Sequence, residues 1–449
     1  MTTTARQAKP LVDLFSQRLL NDGVRKREVF GWVMYDFANS GYTTVVLTAV
    51  FNAYFVSVVA QGAAWGTLAW TLAIAASSLI VMLTLPAVGA NADLRASKKR
   101  LLVGCTVACV LGTLALAGAG PGDLWLAVLA LVVSNVAYSY GESLTAAFLP
   151  ELARPAALGR VSGWGWGFGY LGGMLTLGLS LAYVLAAQQR GEPATSFVPV
   201  TMAITATVYA LASLATFTLL RERAVPQNTV GVALTGAGVG ASLARLADTW
   251  RTARRYRDFC WLLACGACYQ AGIAVVITLA AVYAEQALGF KQADTMLLIF
   301  VVNIAAAAGA FAFGYGQDRI GHRLALAITL VGWIVMTVLA VLATGPGLFW
   351  VAALIAGLCM GSSQSAGRAM AGLFTPAGRR GEFFGLWTFA TRASAIVGPL
   401  TFGLITWLTG GNQRLAMGCT AAFFLGGLLL LAKVDMARGE RAALPEGAA

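Results

Sequence analysis

Twelve stretches of this chain are apolar over about 20 residues each, the length that crosses a lipid bilayer as a helix. They lie at 31–60, 65–90, 101–120, 124–149, 161–187, 197–220, 259–285, 294–316, 324–344, 348–374, 383–407 and 415–433. Inside lipid nothing bonds to open backbone N–H and C=O groups, so each stretch must close its own hydrogen bonds as a helix. The expected fold class is therefore an all-α membrane protein with twelve transmembrane helices. Composition agrees: 58% of the 449 residues are hydrophobic and 11% charged, against about 25% charged in a soluble domain. That excludes a soluble enzyme and a disordered tail protein.

Charge placement orients the chain. With both termini in the cytoplasm, 26 of the 31 Lys and Arg residues fall on that side. Arg190, Lys291 and Arg414 fall on the other, and Arg368 and Arg392 lie within spans. Basic residues concentrate in cytoplasmic loops, so a multi-pass plasma-membrane protein with inward-facing termini is expected, of bacterial type. The net charge of +12 is spread over every such loop, which excludes nucleic acid as a partner. The one long polar internal segment divides the chain. We read a cytoplasmic arm at 1–30, a six-helix bundle at 31–220, a cytoplasmic central loop at 221–258, a second bundle at 259–433 and a tail at 434–449. In the arm, Leu11, Leu14, Phe15 and Leu19 recur at helical spacing and predict a short helix on the membrane surface.

The two halves repeat. Gly120-Pro121-Gly122 with Trp125 recurs 225 residues on as Gly345-Pro346-Gly347 with Trp350. Gly89 and Asp93 recur as Gly314 and Asp318, and a shift of 226 aligns Glu142 with Arg368. Parallel six-helix repeats joined by a cytoplasmic loop are the layout of major facilitator transporters, whose solute site lies between the halves.

Chemistry-bearing residues follow that layout. Gly89, Asp93 and Arg95, with their counterparts Gly314, Asp318, Arg319 and Arg323, resemble the major facilitator loop signature and are expected to form a cytoplasmic latch, although Leu94 stands where that signature usually has arginine. Asp36, Asn39 and Ser40 lie in the first span, Tyr138 and Glu142 in the fourth, Gln364 and Arg368 in the tenth and Arg392 in the eleventh. A carboxylate within a span costs ~2.5–3.5 kcal/mol on insertion scales, so each should face a cavity or a partner. Glu142 and Arg368 sit ~12 Å from the prolines that end their helices and are expected to pair across the cavity as a gate. Asp36 or Glu142 is the expected carrier of a coupling proton. Arg392 lies deeper, ~15 Å from Glu382, and is expected to hold a solute carboxylate, with Asn39, Ser40, Tyr138 and Gln364 around it.

Other motifs carry no chemistry here. Gly167-x-Gly169-x-x-Gly172 matches a dinucleotide fingerprint, but no strand precedes it and small residues at this spacing pack helices. Cys265-x-x-Cys268 likewise stands inside a span. A single histidine, His322, excludes a multi-histidine metal centre, and no lysine follows a glycine, which excludes a P-loop. No cofactor, no metal and no enzymatic activity are expected.

Three segments resemble one branch of the superfamily. They are Tyr35-Asp36-Phe37-Ala38-Asn39-Ser40, the run from Glu142 to Gly173, and Gln364-Ser365 through Glu382-Phe383-Phe384-Gly385 to Gly398-Pro399. They are similar to the autophagy-related vacuolar amino-acid effluxers and their bacterial relatives. The resemblance implies export of amino acids by alternating access. The expected function is secondary active transport of a small polar or zwitterionic solute by a monomer in the lipid bilayer, with Asp36 or Glu142 as the carrier if the coupling ion is a proton. The alternatives are proton-coupled uptake of an organic anion, efflux of an amphipathic drug-like compound, or a membrane-embedded receptor or enzyme. The topology makes a direct prediction: cysteines placed at 190 and 291 label from outside the cell and one at 240 does not; external labelling at 240 overturns it.

Overall fold

The computed structural model describes residues 14–63, 65–226, 247–288 and 292–444. Among the described residues, twelve helices are long and apolar enough to cross a membrane. We label them α1 (Lys26–Val59), α2 (Gly66–Leu94), α3 (Lys98–Leu116), α4 (Leu124–Ala146), α5 (Leu158–Gln189), α6 (Ala194–Leu219), α7 (Arg257–Leu288), α8 (Gln292–Ile320), α9 (His322–Leu342), α10 (Pro346–Leu373), α11 (Arg380–Leu408) and α12 (Gln413–Leu431). A short helix, α13 (Met436–Ala443), follows and is fastened by Arg438 to Asp258 at the start of α7. Among the described residues there is no strand, only an isolated bridge between Leu20 and Ala153.

The packing is a repeat in space as well as in sequence. Within the first half α1 lies on α5 and α6, α3 on α4 and α6, and α2 on α4. The second half uses the same set: α7 on α11 and α12, α9 on α10 and α12, and α8 on α10. Between the halves, α5 packs on α8 and α2 on α11, contacts that the repeat interconverts. The lipid-facing helix sides carry aliphatic residues such as Leu72, Leu111, Leu211 and Leu429. The interior combines small and aliphatic residues with aromatic and polar ones, and Trp333 stacks on Phe424 in the second half at 5.1 Å.

Glycine sets the inter-half seams and their extent. A Cβ on Gly89 would lie 2.1 Å from the Gly381 carbonyl, and one on Gly163 would lie 2.5 Å from that of Ala310. Gly385 meets Pro86, and Gly167 meets Phe311. Farther along α5, Gly172 abuts Phe37 of its own half, and on α11 Gly398 abuts Ala271 of its own half. The close backbone contacts between halves therefore lie toward the end of the bundle that bears both termini, where the halves are shut on each other. Toward the opposite end α1 changes its winding: Val50 donates to Val45 and Ala60 to Phe55, five residues back instead of four. Such wide turns are rare and occur mostly as short segments inside α-helices.

The arm differs from the expected surface helix. Residues 11–13 lie outside the described region. Residues Gln17–Leu19 form a single 3₁₀ turn. The Asn21 amide donates to the Pro150 and Glu151 carbonyls, and Arg154 donates to Leu20. Phe15 packs edge-on against Trp164. The connection after α4 has backbone carbonyls that need donors, and binding them holds the arm against the protein rather than along a membrane surface.

The seams predict a substitution test. Gly89→Leu or Gly163→Leu drives a side chain into the opposite backbone and pries that end open, whereas Gly178→Leu, which meets nothing within 4 Å, does not. Spin labels at the exposed positions 95 and 319 report the change as a shift to longer distances for the first two variants only.

Candidate functional site

At the terminus-bearing end each half extends an aspartate to a helix N-terminus of the other. Asp93, at the end of α2, accepts the Glu382 N–H at 3.1 Å at the start of α11. Asp318, at the end of α8, accepts the N–H groups of Gly159 and Arg160 at 3.0 and 3.2 Å at the start of α5. Unpaired N–H groups and the helix dipole both favour an anion there. The basic groups beside these aspartates differ from those expected. Arg160 pairs with Asp318 at 3.0 Å, and Lys98 stands 3.8 Å from Asp93. Lys98 also pairs with Glu151, which Arg380 of the second half approaches at 3.5 Å. Arg95 and Arg319 are exposed, and Arg323 donates to the Ala432 carbonyl at the end of α12. Gly89 and Gly314 lie in the backbone seams.

Deeper in the bundle the expected Glu142–Arg368 pair is replaced by two others. Arg368, on α10, crosses to the first half. Its Nη1 donates to Asp36 Oδ2 at 2.7 Å, its Nη2 to the Ser162 carbonyl at 2.9 Å and its Nε to Ser162 Oγ at 3.2 Å. The indoles of Trp32 and Trp166 face the guanidinium at 4.9 and 5.2 Å. Gly165 makes the room: a Cβ there would lie 2.3 Å from both Arg368 Nη2 and Asp36 Oδ2. The side chains of Arg368 and Asp36 are 7% and 11% exposed, so this pair is closed off from solvent.

Glu142, on α4, crosses instead to α11. Arg392 Nη2 donates to its Oε2 at 3.2 Å, and the guanidinium lies 5.6 Å from the centre of the Tyr138 ring. These side chains are 17% (Arg392) and 35% (Glu142) exposed, more open than the Arg368–Asp36 pair. The reason for the exchange of partners is the repeat itself. Residues 142 and 368 occupy equivalent places on opposite sides of the pseudo-twofold axis. The fourth helix of each half lies beside the fifth helix of the other, α4 beside α11 and α10 beside α5.

The other expected site residues serve different neighbours. Asn39 is buried and accepts from Tyr209 at 2.6 Å, within the first half. Ser40 Oγ lines the α1–α5 contact beside Gly169. Gln364 exchanges hydrogen bonds with Gln270 at 2.8 and 3.2 Å, within the second half. Tyr138 alone of these four stands at Arg392, stacked on Tyr42 at 5.3 Å. The site therefore gathers Glu142, Arg392 and Tyr138 in a more exposed group, and Asp36, Arg368, Trp32, Trp166 and Ser162 in a buried one. Trp32, Trp166 and Ser162 escaped the sequence reading because tryptophan and serine within spans carry no insertion penalty of the kind that marks a charge. The four-residue separation of Trp32 and Asp36, which places them on one helix face, was the available signal.

Comparison with known proteins agrees with this architecture. Residues 67–444 match the family described as "Vacuole effluxer Atg22 like". The chain is 26% identical over 405 residues to the MFS-type transporter YxiO of Bacillus subtilis, covering 89% of this chain and 93% of that one. It is 27% identical over 310 residues to autophagy-related protein 22-1 of Penicillium rubens, covering 64% of this chain and 51% of that protein; the chain thus spans about half the length of this fungal relative. Among solved structures, the human organic anion transporter MFSD10 superposes with a TM-score of 0.71 at 16% identity, over 90% of this chain and 99% of that one. The Escherichia coli fucose:proton symporter FucP superposes with a TM-score of 0.68 at 16% identity, over 91% and 98%. These likenesses establish the major facilitator fold.

Buried ion pairs lose most when one partner is removed, about 3–5 kcal/mol, because the other charge is left uncompensated. Arg368→Gln and Asp36→Asn are each expected to destabilise the closed end by that order, and the double variant to recover most of the loss. Adding Glu142→Gln to Arg368→Gln is expected to give no recovery. Thermal denaturation of the purified variants checks this; recovery with Glu142 instead of Asp36 overturns the pairing.

Proposed function

The chain belongs to the Atg22-like vacuole effluxer family of major facilitator transporters, and from that premise we propose that it exports zwitterionic amino acids by alternating access. The observation that carries the reading is the accessible Glu142–Arg392 pair, one charge from each half. A zwitterion offers the complement to both. Its carboxylate can take the fork of Arg392, its ammonium can take Glu142, and the Tyr138 ring face supports a cation beside it. An organic anion lacking the ammonium would leave Glu142 facing the cavity uncompensated, which disfavours the uptake alternative. The aromatic residues nearest the buried charge, Trp32 and Trp166, are engaged with Arg368 rather than free to receive an amphipathic drug.

In this reading the membrane is the plasma membrane, both termini are cytoplasmic, and the closed end is the cytoplasmic gate. Arg368 with Asp36 forms the inner bolt, and the Asp93 and Asp318 caps form the latch beneath it. Protonation of Asp36 removes the charge that holds Arg368 and couples the opening of that gate to protons. Glu142 is the second candidate for the coupling proton, because a protonated Glu142 releases Arg392 to the solute.

The test is thermal shift of the purified protein with the common amino acids, followed by transport of those that stabilise it in proteoliposomes with and without a proton gradient. Arg392→Gln is expected to keep its melting temperature and to lose at least about tenfold in affinity, since hydrogen bonds between charged groups contribute ~1.5–3 kcal/mol. Arg392→Lys retains part of the activity, because charge survives while the fork does not. Unchanged affinity with a lowered melting temperature removes Arg392 from the site. If no amino acid stabilises or crosses, the solute class is wrong.

A further inference from the structure

The Glu142–Arg392 pair has a second property, which rests on reading it as the solute site. It spans the two halves. Arg392 of α11 is bonded to Glu142 of α4 at 3.2 Å, with the Tyr138 ring on its flank. In the buried pair Arg368 is likewise neutralised by Asp36 of the opposite half at 2.7 Å. Within the described part of the space between the halves, each span-embedded arginine thus already has an acidic partner from across the interface. The pair also has the charges of the proposed solute: a carboxylate held by Arg392, and a cation beside Glu142.

This bears on how a carrier returns after releasing its solute. To change sides it must pass through a state sealed from water at both ends. Sealing an unpaired charge away from water is costly. A carrier whose binding-site arginine is neutralised only by solute cannot seal while empty, and so can only exchange one solute for another. A carrier that supplies its own counter-charge carries no such penalty.

We infer that Glu142 stands in for the solute carboxylate on Arg392 whenever the site is empty, so that the empty carrier resets by itself and the protein performs net transport rather than obligatory exchange. Binding is then a displacement. The incoming carboxylate takes Arg392 from Glu142, and the freed Glu142 receives the ammonium. The two halves stay bridged by opposite charges in the loaded and the empty state alike, and the site never presents a lone charge to a sealed interior. Glu142 is in this sense a positioning residue for the return step as well as a solute ligand.

The experiment needs no solute. Fluorophores at residues 190 and 409, on the ends of α5 and α11 opposite the termini, report opening and closing of single molecules in lipid nanodiscs without amino acids. The wild type is expected to switch spontaneously. Glu142→Gln leaves Arg392 unpaired and is expected to slow switching at least tenfold. Arg392→Gln leaves Glu142 unpaired and is expected to slow it as well, which keeps the test available if one single variant fails to fold. The double variant Glu142→Gln/Arg392→Gln contains no lone charge and is expected to return to within a few-fold of the wild-type rate. A wild type that does not switch when empty, single variants that switch at the wild-type rate, or a double variant as slow as the singles each overturns the inference. Because the readout is taken without solute, it is separable from the identity of the solute. If amino acids prove not to bind but the four rates follow this order, the self-neutralising pair stands and only the solute class falls.

Discussion

A permanently charged guanidinium inside a membrane bundle is the constraint around which the closed end of this protein is built. Arg368 cannot shed its proton, and an unpartnered charge at depth is among the costliest groups a span can carry. Three of its five donors and its flat faces are met by Asp36, by both oxygens of Ser162 and by the indoles of Trp32 and Trp166. All four residues belong to the half opposite its own. The residue that most needs compensation thus obtains it only when the two halves are together. Gly165 serves the same end, because a side chain there would occupy the space of the pair.

The repeat extends this logic to the rest of the interface. Each half contributes an aspartate that caps a helix of the other, Asp93 on α11 and Asp318 on α5. Each half contributes a fourth helix whose charged residue reaches across, Glu142 to α11 and Arg368 to α1 and α5. The same contact is thus made twice about an axis, once at each seam. Glycines at the seams bring backbones close enough that the closed arrangement is a discrete state, since packed backbone leaves little room for intermediate separations.

The two charge pairs differ in how they are held. The Arg368–Asp36 pair is shut away from solvent, and the Arg392–Glu142 pair is the more exposed. The first, with three hydrogen bonds and two aromatic faces on one guanidinium, is the tighter; the second has one hydrogen bond at 3.2 Å.

Span number and the two-half repeat were determined by the sequence alone, because they follow from local quantities: the length of apolar runs, the expense of unpaired backbone in lipid, and matching residues at a near-constant offset. The need of Asp36, Glu142, Arg368 and Arg392 for partners was equally legible, since the cost of a charge within a span does not depend on the fold. Which partner each one takes was decided only by the tertiary structure. Sequence alignment of the halves brings Glu142 and Arg368 into register, and register suggests a pair. A pseudo-twofold axis instead sets equivalent residues on opposite sides of itself, so each meets a helix that is not its own equivalent. The same holds for Asn39 and Gln364, whose polar ends are spent within their own halves on Tyr209 and Gln270, and for Lys98 and Arg160, which stand beside the capping aspartates in place of Arg95 and Arg319. A sequence states that a buried group must be satisfied; the direction in which its side chain leaves the helix, and what stands there, is a property of the packed bundle.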